Sequence, residues 1–107
     1  MKTSIETEKA KKERKKRGRK RLVDKILSSL DVEEEKAVYV VVYDFYTGRI
    51  PKEFYIGLKY LNDEGYFIFQ LQKSVILTSS KRCALAIKEL AKHYGARVHA
   101  FKIEKEL

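Results

Sequence analysis

Ala37 to Phe45 reads AVYVVVYDF, a run of β-branched and aromatic side chains broken only by Asp44. Its two alternate sets, Tyr39, Val41 and Tyr43 against Val38, Val40 and Val42, are both apolar. Such a strand belongs in the middle of a sheet that helices cover on at least one side. After the turn Thr47-Gly48, Pro51 suits the first position of a helix, in which Phe54, Leu58 and Leu61 recur at helical spacing until Gly65 stops it. Tyr66 to Thr78, YFIFQLQKSVILT, is long for one strand, and its alternation falters at Gln72, Lys73 and Ser74. That predicts either two strands or one bent by a bulge. Ser79 or Ser80 caps a second helix with the inward stripe Cys83, Ile87, Leu90 and Tyr94, ended by Gly95, and a last strand runs from Ala96 to Ile103. The order β, α, β(β), α, β predicts an α+β, ferredoxin-like βαββαβ sandwich: one antiparallel sheet with its helices on one face. The opposite face carries one of the two apolar sets of the first strand, and a second protomer or the N-terminal helix is the expected cover.

Upstream of that domain, at 37–107, lies an extension at 1–36. Within it Lys9 to Arg21, KAKKERKKRGRKR, holds ten basic residues and one acid. Like charges at that density repel, so alone the stretch is expected to be disordered or a transient helix broken near Gly18. Leu22, Val23, Ile26, Leu27 and Leu30 then fall at helical spacing, predicting a short amphipathic helix over about residues 21–30. A helix that short needs something to dock on. The acidic run Glu33 to Glu35 reads as a solvated linker.

The chain of 107 residues carries 24 Lys plus Arg against 15 Asp plus Glu, a net charge of +9. All 12 aromatic residues lie between Tyr39 and Phe101, so only that part has the makings of an aromatic core. One cysteine, Cys83, excludes an intrachain disulfide and a multi-cysteine zinc site, and His93 and His99 are too few to replace it. No stretch approaches the roughly 20 apolar residues of a membrane span, and the first residues meet charge instead of an apolar signal core. The expectation is a soluble, cytoplasmic protein with no membrane partner and no small-molecule substrate. Asn and Gln total three in a Lys/Glu-rich chain, a pattern of thermophiles.

The strand ending VVVYD, the proline-started helix and the strand carrying QKSV resemble the Cas2-like ferredoxin-fold family, which includes the CRISPR-associated Cas2 proteins and related nucleic-acid-binding domains. The likeness covers about residues 38–103. It implies a homodimer in which Asp44, closing the first strand, faces its twin and holds a divalent metal, Mg²⁺, for phosphodiester cleavage. A lone carboxylate is a poor Mg²⁺ site, and two related by a two-fold axis are a better one. The N-terminal extension has no counterpart in the short Cas2 proteins.

The basic run is the strongest functional signal, with Lys9, Lys11, Lys12, Arg14, Lys15, Lys16, Arg17, Arg19, Lys20 and Arg21 as the expected phosphate contacts. The bland alternative is a solubilising tail. Lys73, in the irregular part of the strand, is a second candidate contact, beside Ser74. Lys81 and Arg82 open the second helix, where cations oppose the helix dipole unless an anion sits nearby, so a phosphate there is a third. Asp44 is the candidate catalytic and metal residue, against the alternative that it caps the following turn. Three functions follow: a non-specific DNA- or RNA-binding homodimer clamped by its tail, a Mg²⁺-dependent nuclease using Asp44 from both protomers, or a ribosomal or ribonucleoprotein subunit whose tail threads RNA.

Overall fold

A computed structural model describes residues 22–105 and 107; the basic run Lys9 to Arg21 lies outside the described residues. The elements are α1 (Leu22–Ser29), β1 (Lys36–Phe45), α2 (Lys52–Asp63), β2 (Ile68–Gln72), β3 (Val75–Ser80), α3 (Lys81–His93) and β4 (Ala96–Ile103). The strands form one sheet in the order β2-β3-β1-β4, every neighbouring pair antiparallel. This is the ferredoxin-like βαββαβ sandwich with one helix added in front. The long segment after α2 is two strands: Lys73 and Ser74 form the turn of a hairpin, and the β2–β3 register shifts between Gln70 and Gln72. That shift is why the alternation faltered there.

Local signals set the helix ends. Pro51 is the N-cap of α2, at φ −62° and ψ 142°, so the helix begins one residue later than its proline suggested. Ser80 caps α3 by accepting a hydrogen bond from the Cys83 amide. Gly65, at φ 108°, supplies the left-handed residue that ends α2.

The core selects one alternate set of β1. Tyr39, Val41, Tyr43 and Phe45 are buried beneath the helices, which leaves Val38, Val40 and Val42 on the other face. Tyr43, Phe45 and Phe54 form an aromatic triangle with ring centroids 5.0–5.9 Å apart. Cys83, Ile87 and Leu90 of α3 complete the layer as their spacing predicted, joined by Ala84, Ala86 and Ala91, while Tyr94 is half-buried. Burial pushes the Cys83 thiol up to about 11, so it packs as a small apolar group.

Helix α1 docks on α2 and α3, not on the open sheet face. Val23 is part of the core, and Tyr60 fixes the helix by donating to Asp24 Oδ1 at 2.7 Å. Gly57 makes this close approach feasible: a Cβ there would lie 2.5 Å from Leu90 Cδ2 and 3.3 Å from Val23 Cγ2. The helix of the extension is thus built into the folded unit.

Candidate functional site

At the end of β1 the polypeptide turns sharply, and the β2–β3 hairpin turn is pinned against it. Tyr43 donates its phenol to the Lys73 carbonyl at 2.8 Å and its amide to the Ser74 carbonyl at 3.1 Å. Gln70 Nε2 donates to the same Lys73 carbonyl at 3.1 Å. Burial pushes the Tyr43 phenol up to about 12, so it stays a donor throughout the ordinary pH range. Between the two turns lies a cavity of about 200 Å³ lined by Tyr43, Asp44, Phe45, Gly48, Ile50, Lys73 and Ser74. The fold therefore brings Asp44, Lys73 and Ser74, read separately from the sequence, to one hollow. Asp44 is exposed and stands opposite Arg97 in the β1–β4 register.

Among the described residues no three His, Cys, Asp or Glu side chains converge on a common point. At Asp44 this chain offers one carboxylate, which alone does not fit Mg²⁺. A metal there needs further ligands, from a second copy or from the phosphates of a bound nucleic acid.

Lys81 and Arg82 lie at the opposite end of β3 from Lys73, so the structure does not join these three cations into one site. The anion expected at the N-terminus of α3 is the chain's own Glu34. Its Oε2 accepts from the Ser80 hydroxyl at 2.6 Å, and its Oε1 accepts from the Arg82 amide at 3.1 Å. Partial burial pushes the Glu34 carboxyl up, but hydrogen bonds from Ser80, Arg82 and the Glu35 amide, with Lys36 nearby, outweigh it and hold it below its ordinary value. The Arg82 guanidinium points the other way. It donates to the carbonyls of Leu27 (2.8 Å), Val32 (3.0 Å) and Leu30 (3.4 Å), closing the open C-terminal end of α1. Lys81 donates its amide to the Glu35 carbonyl at 3.0 Å.

The acidic run is therefore not a solvated linker. Glu35 accepts from Lys102 Nζ at 2.7 Å and from the Tyr39 phenol at 2.9 Å, and the Lys102 ammonium, with Tyr39, holds its carboxyl low. Glu34, Glu35 and Arg82 together form a strap that fastens α1 to the start of β1 and α3. Sequence reasoning signalled an anion at that helix end but had no means of choosing this one.

The sheet face away from the helices is open and apolar. Val38 (49%), Val42 (37%), Phe69 (49%), Leu71 (53%), Phe101 (55%) and Ile103 (37%) are all substantially exposed on it. A shallow hollow of about 380 Å³ lies between Val38, Leu71, Leu77 and Ile103, rimmed by Glu104 and Lys105. Helix α1 does not cover this face. Among the described residues no helix is long and apolar enough to cross a membrane. Neither a family model, nor a curated protein, nor a solved structure matches this chain.

Proposed function

We propose that this protein is a non-specific nucleic-acid-binding homodimer whose basic N-terminal run is its electrostatic clamp; the Cas2-like resemblance implies the homodimer, not the clamp. The observation that carries the reading is the run itself, ten cations and one acid in 13 residues. Cations at that density release the counterions condensed on a phosphate backbone, which gives large affinity without sequence preference. The run leads directly into α1, which Val23 and Arg82 fix to the domain. This supports a clamp that pulls on the folded unit and not on a loose linker.

The open sheet face supports the dimer. Its six exposed apolar side chains lie together on one face, the kind of patch that a partner covers. The central strands contribute Val38, Val40, Val42 and Leu77, and the aromatic side chains sit on the outer strands. An aliphatic centre gives a base nothing to stack on, and it suits the same face of a second copy.

The test is affinity for duplex DNA and for RNA against salt, measured with the full chain and with a full chain carrying six Lys/Arg→Gln changes in the run. With six to ten contacts, log K for duplex DNA falls with log salt at a slope of about −5 to −9, and the depleted chain loses most of that slope. Equal binding by the two chains overturns the clamp. Cleavage of the probe, abolished by EDTA and by Asp44→Asn, favours instead a Mg²⁺-dependent nuclease with Asp44 from both copies.

A further inference from the structure

Tyr46 is the most exposed aromatic ring among the described residues, at 69%, although it directly follows the buried Phe45. Packing does not account for it. The turn that carries it is well fixed: the Gly48 amide donates to the Phe45 carbonyl at 2.8 Å, with Gly48 at φ 77°. Thr47 Oγ1 accepts from the Arg49 amide and donates to the Arg49 carbonyl, each at 3.2 Å. One face of the Tyr46 ring is braced by Arg97, whose guanidinium carbon lies 5.4 Å from the ring centroid. The ring is held in place by that contact and still offers its other face to solvent.

Phe45, just before Tyr46, and Gly48, two residues after it, line the cavity that also holds Asp44, Lys73 and Ser74, and Arg97, which braces the ring, stands opposite Asp44 in the β1–β4 register. No hydrogen bond or ion pair from a described residue engages the Asp44 carboxylate. A braced ring, an uncommitted carboxylate, a hydroxyl and an ammonium form a complementary set. A base stacks on the free face of the ring, its amino group donates to the carboxylate, and the adjoining phosphate meets Lys73. A duplex keeps its base faces stacked and its pairing edges occupied, so only an unpaired nucleotide can use all of these groups.

We propose that this end of the sheet is a single-strand base site, with Tyr46 as the stacking platform and Asp44 as the reader of the base edge. The inference rests on the nucleic-acid-binding reading above. It deepens that reading by naming the strand state and the base class. An ionised carboxylate only accepts hydrogen bonds, so it favours cytosine, whose edge carries an amino group, over thymine or uracil, whose edge presents two carbonyl oxygens around one N–H. The basic run supplies affinity without preference, and this site supplies a modest preference.

The chain contains no tryptophan, so Tyr46→Trp in the full-length protein places a single indole at the platform. Titration with oligo-dC is expected to quench its fluorescence, and with oligo-dT to do so more weakly at equal length. Tyr46→Ala is expected to weaken oligo-dC binding by roughly fivefold to a hundredfold, with the salt slope unchanged and Tyr46→Phe close to wild type. Asp44→Asn, which can both donate and accept, is expected to bring oligo-dC and oligo-dT to similar affinity. If the wild-type chain binds both oligonucleotides while Tyr46→Ala is silent and the indole is not quenched, the base site is refuted and the clamp stands. Equal quenching by oligo-dC and oligo-dT that Asp44→Asn leaves unaltered removes the edge-reading role. If the wild-type chain binds neither at low salt, the nucleic-acid reading itself fails, and the base site with it.

Discussion

Replacing Glu34 by alanine removes the carboxylate that joins the segment before β1 to Ser80 and the start of α3. The magnitude follows from the contacts. The 2.6 Å hydrogen bond from Ser80 is charge-assisted, a class that contributes about 1.5–3 kcal/mol, and the Ser80 hydroxyl is left fully buried without its acceptor. A negative charge at a helix N-terminus adds about 0.3–1 kcal/mol. Because the Glu34 side chain keeps 34% exposure, water recovers part of this, and we expect a net loss of about 2 kcal/mol. In a domain of this size that lowers the melting temperature by about 8–16 °C. Glu34→Gln keeps an acceptor for Ser80 and loses only the charge, so its loss is about 1 kcal/mol. The pH dependence has a definite sign. The folded-state pKa of Glu34 is depressed below 4.5, so its contribution is complete above that value and is lost as pH falls through the folded pKa. Thermal melts followed by circular dichroism should show wild type and Glu34→Gln well separated at neutral pH and converging in acid. A Glu34→Ala protein melting within about 2 °C of wild type at neutral pH would refute the strap. A gap for Glu34→Gln of undiminished size in acid would show that the carboxylate charge is not its source.

Three further outcomes are expected. Gly57→Ala places a methyl 2.5 Å from Leu90 Cδ2 in a layer where Leu90 is 1% exposed, and should cost about 1–3 kcal/mol in chemical denaturation, with the loss lying in midpoint and not in slope. Thr78→Val should be close to neutral, because the buried Thr78 Oγ1 meets only the Cys83 thiol, a weak hydrogen-bonding group, among the described residues; a large destabilisation would mean that the hydroxyl has a strong partner. Spectrophotometric titration of the phenols should show Tyr43 ionising near 12, well after an ordinary tyrosine, and Tyr43→Phe should abolish that last step. Its phenol contributes stability that is complete below the ordinary value of 10.0 and is lost as pH rises towards 12.

What the sequence revealed was governed by distance along the chain. Helix starts and stops at Pro51, Gly65, Ser80 and Gly95 were legible because capping acts within one turn, and β4 runs from Ala96 to Ile103 as its alternation indicated. Which side of β1 faces the helices was not legible, since both alternate sets are apolar. The decision rests on contacts that arrive later, among them the Tyr43 phenol reaching the Lys73 carbonyl 30 residues away. The same holds for the site. Asp44 and Lys73 stood out singly by type and position, but their shared cavity depends on the hairpin turn packing against β1. Glu34 looked solvated because it lies between two other acids, and its acceptor role depends on Ser80, 46 residues downstream. Arg97 showed no local signal at all, because its relation to Tyr46 exists only once β4 pairs with β1.

The point at which the basic run joins the fold and the open apolar face lie on different sides of the sheet, which bears on how nucleic acid would be held. The basic run joins α1 at Leu22, which lines a hollow with Glu53, Gly57, Tyr60 and Leu90 in the helical layer. The apolar face is on the other side of the sheet. If two copies meet through that face, their helical layers point outwards, and the two Leu22 residues at which the runs join the fold lie on opposite surfaces. One rigid duplex cannot easily span both, whereas two duplexes can be held at once. The dimer is therefore expected to bridge DNA molecules. Leu71→Lys, which sets a charge in the lining of the apolar hollow at a position 53% exposed, should abolish bridging while each monomer still binds a duplex through its run. Co-capture of a labelled duplex on beads carrying an unlabelled one reads this directly, with sedimentation reporting the oligomeric state. Bridging that survives in a monomeric Leu71→Lys chain would show that one run engages two duplexes, and would leave the open face without a part in holding DNA. A wild-type dimer that holds one duplex only would refute the bridging.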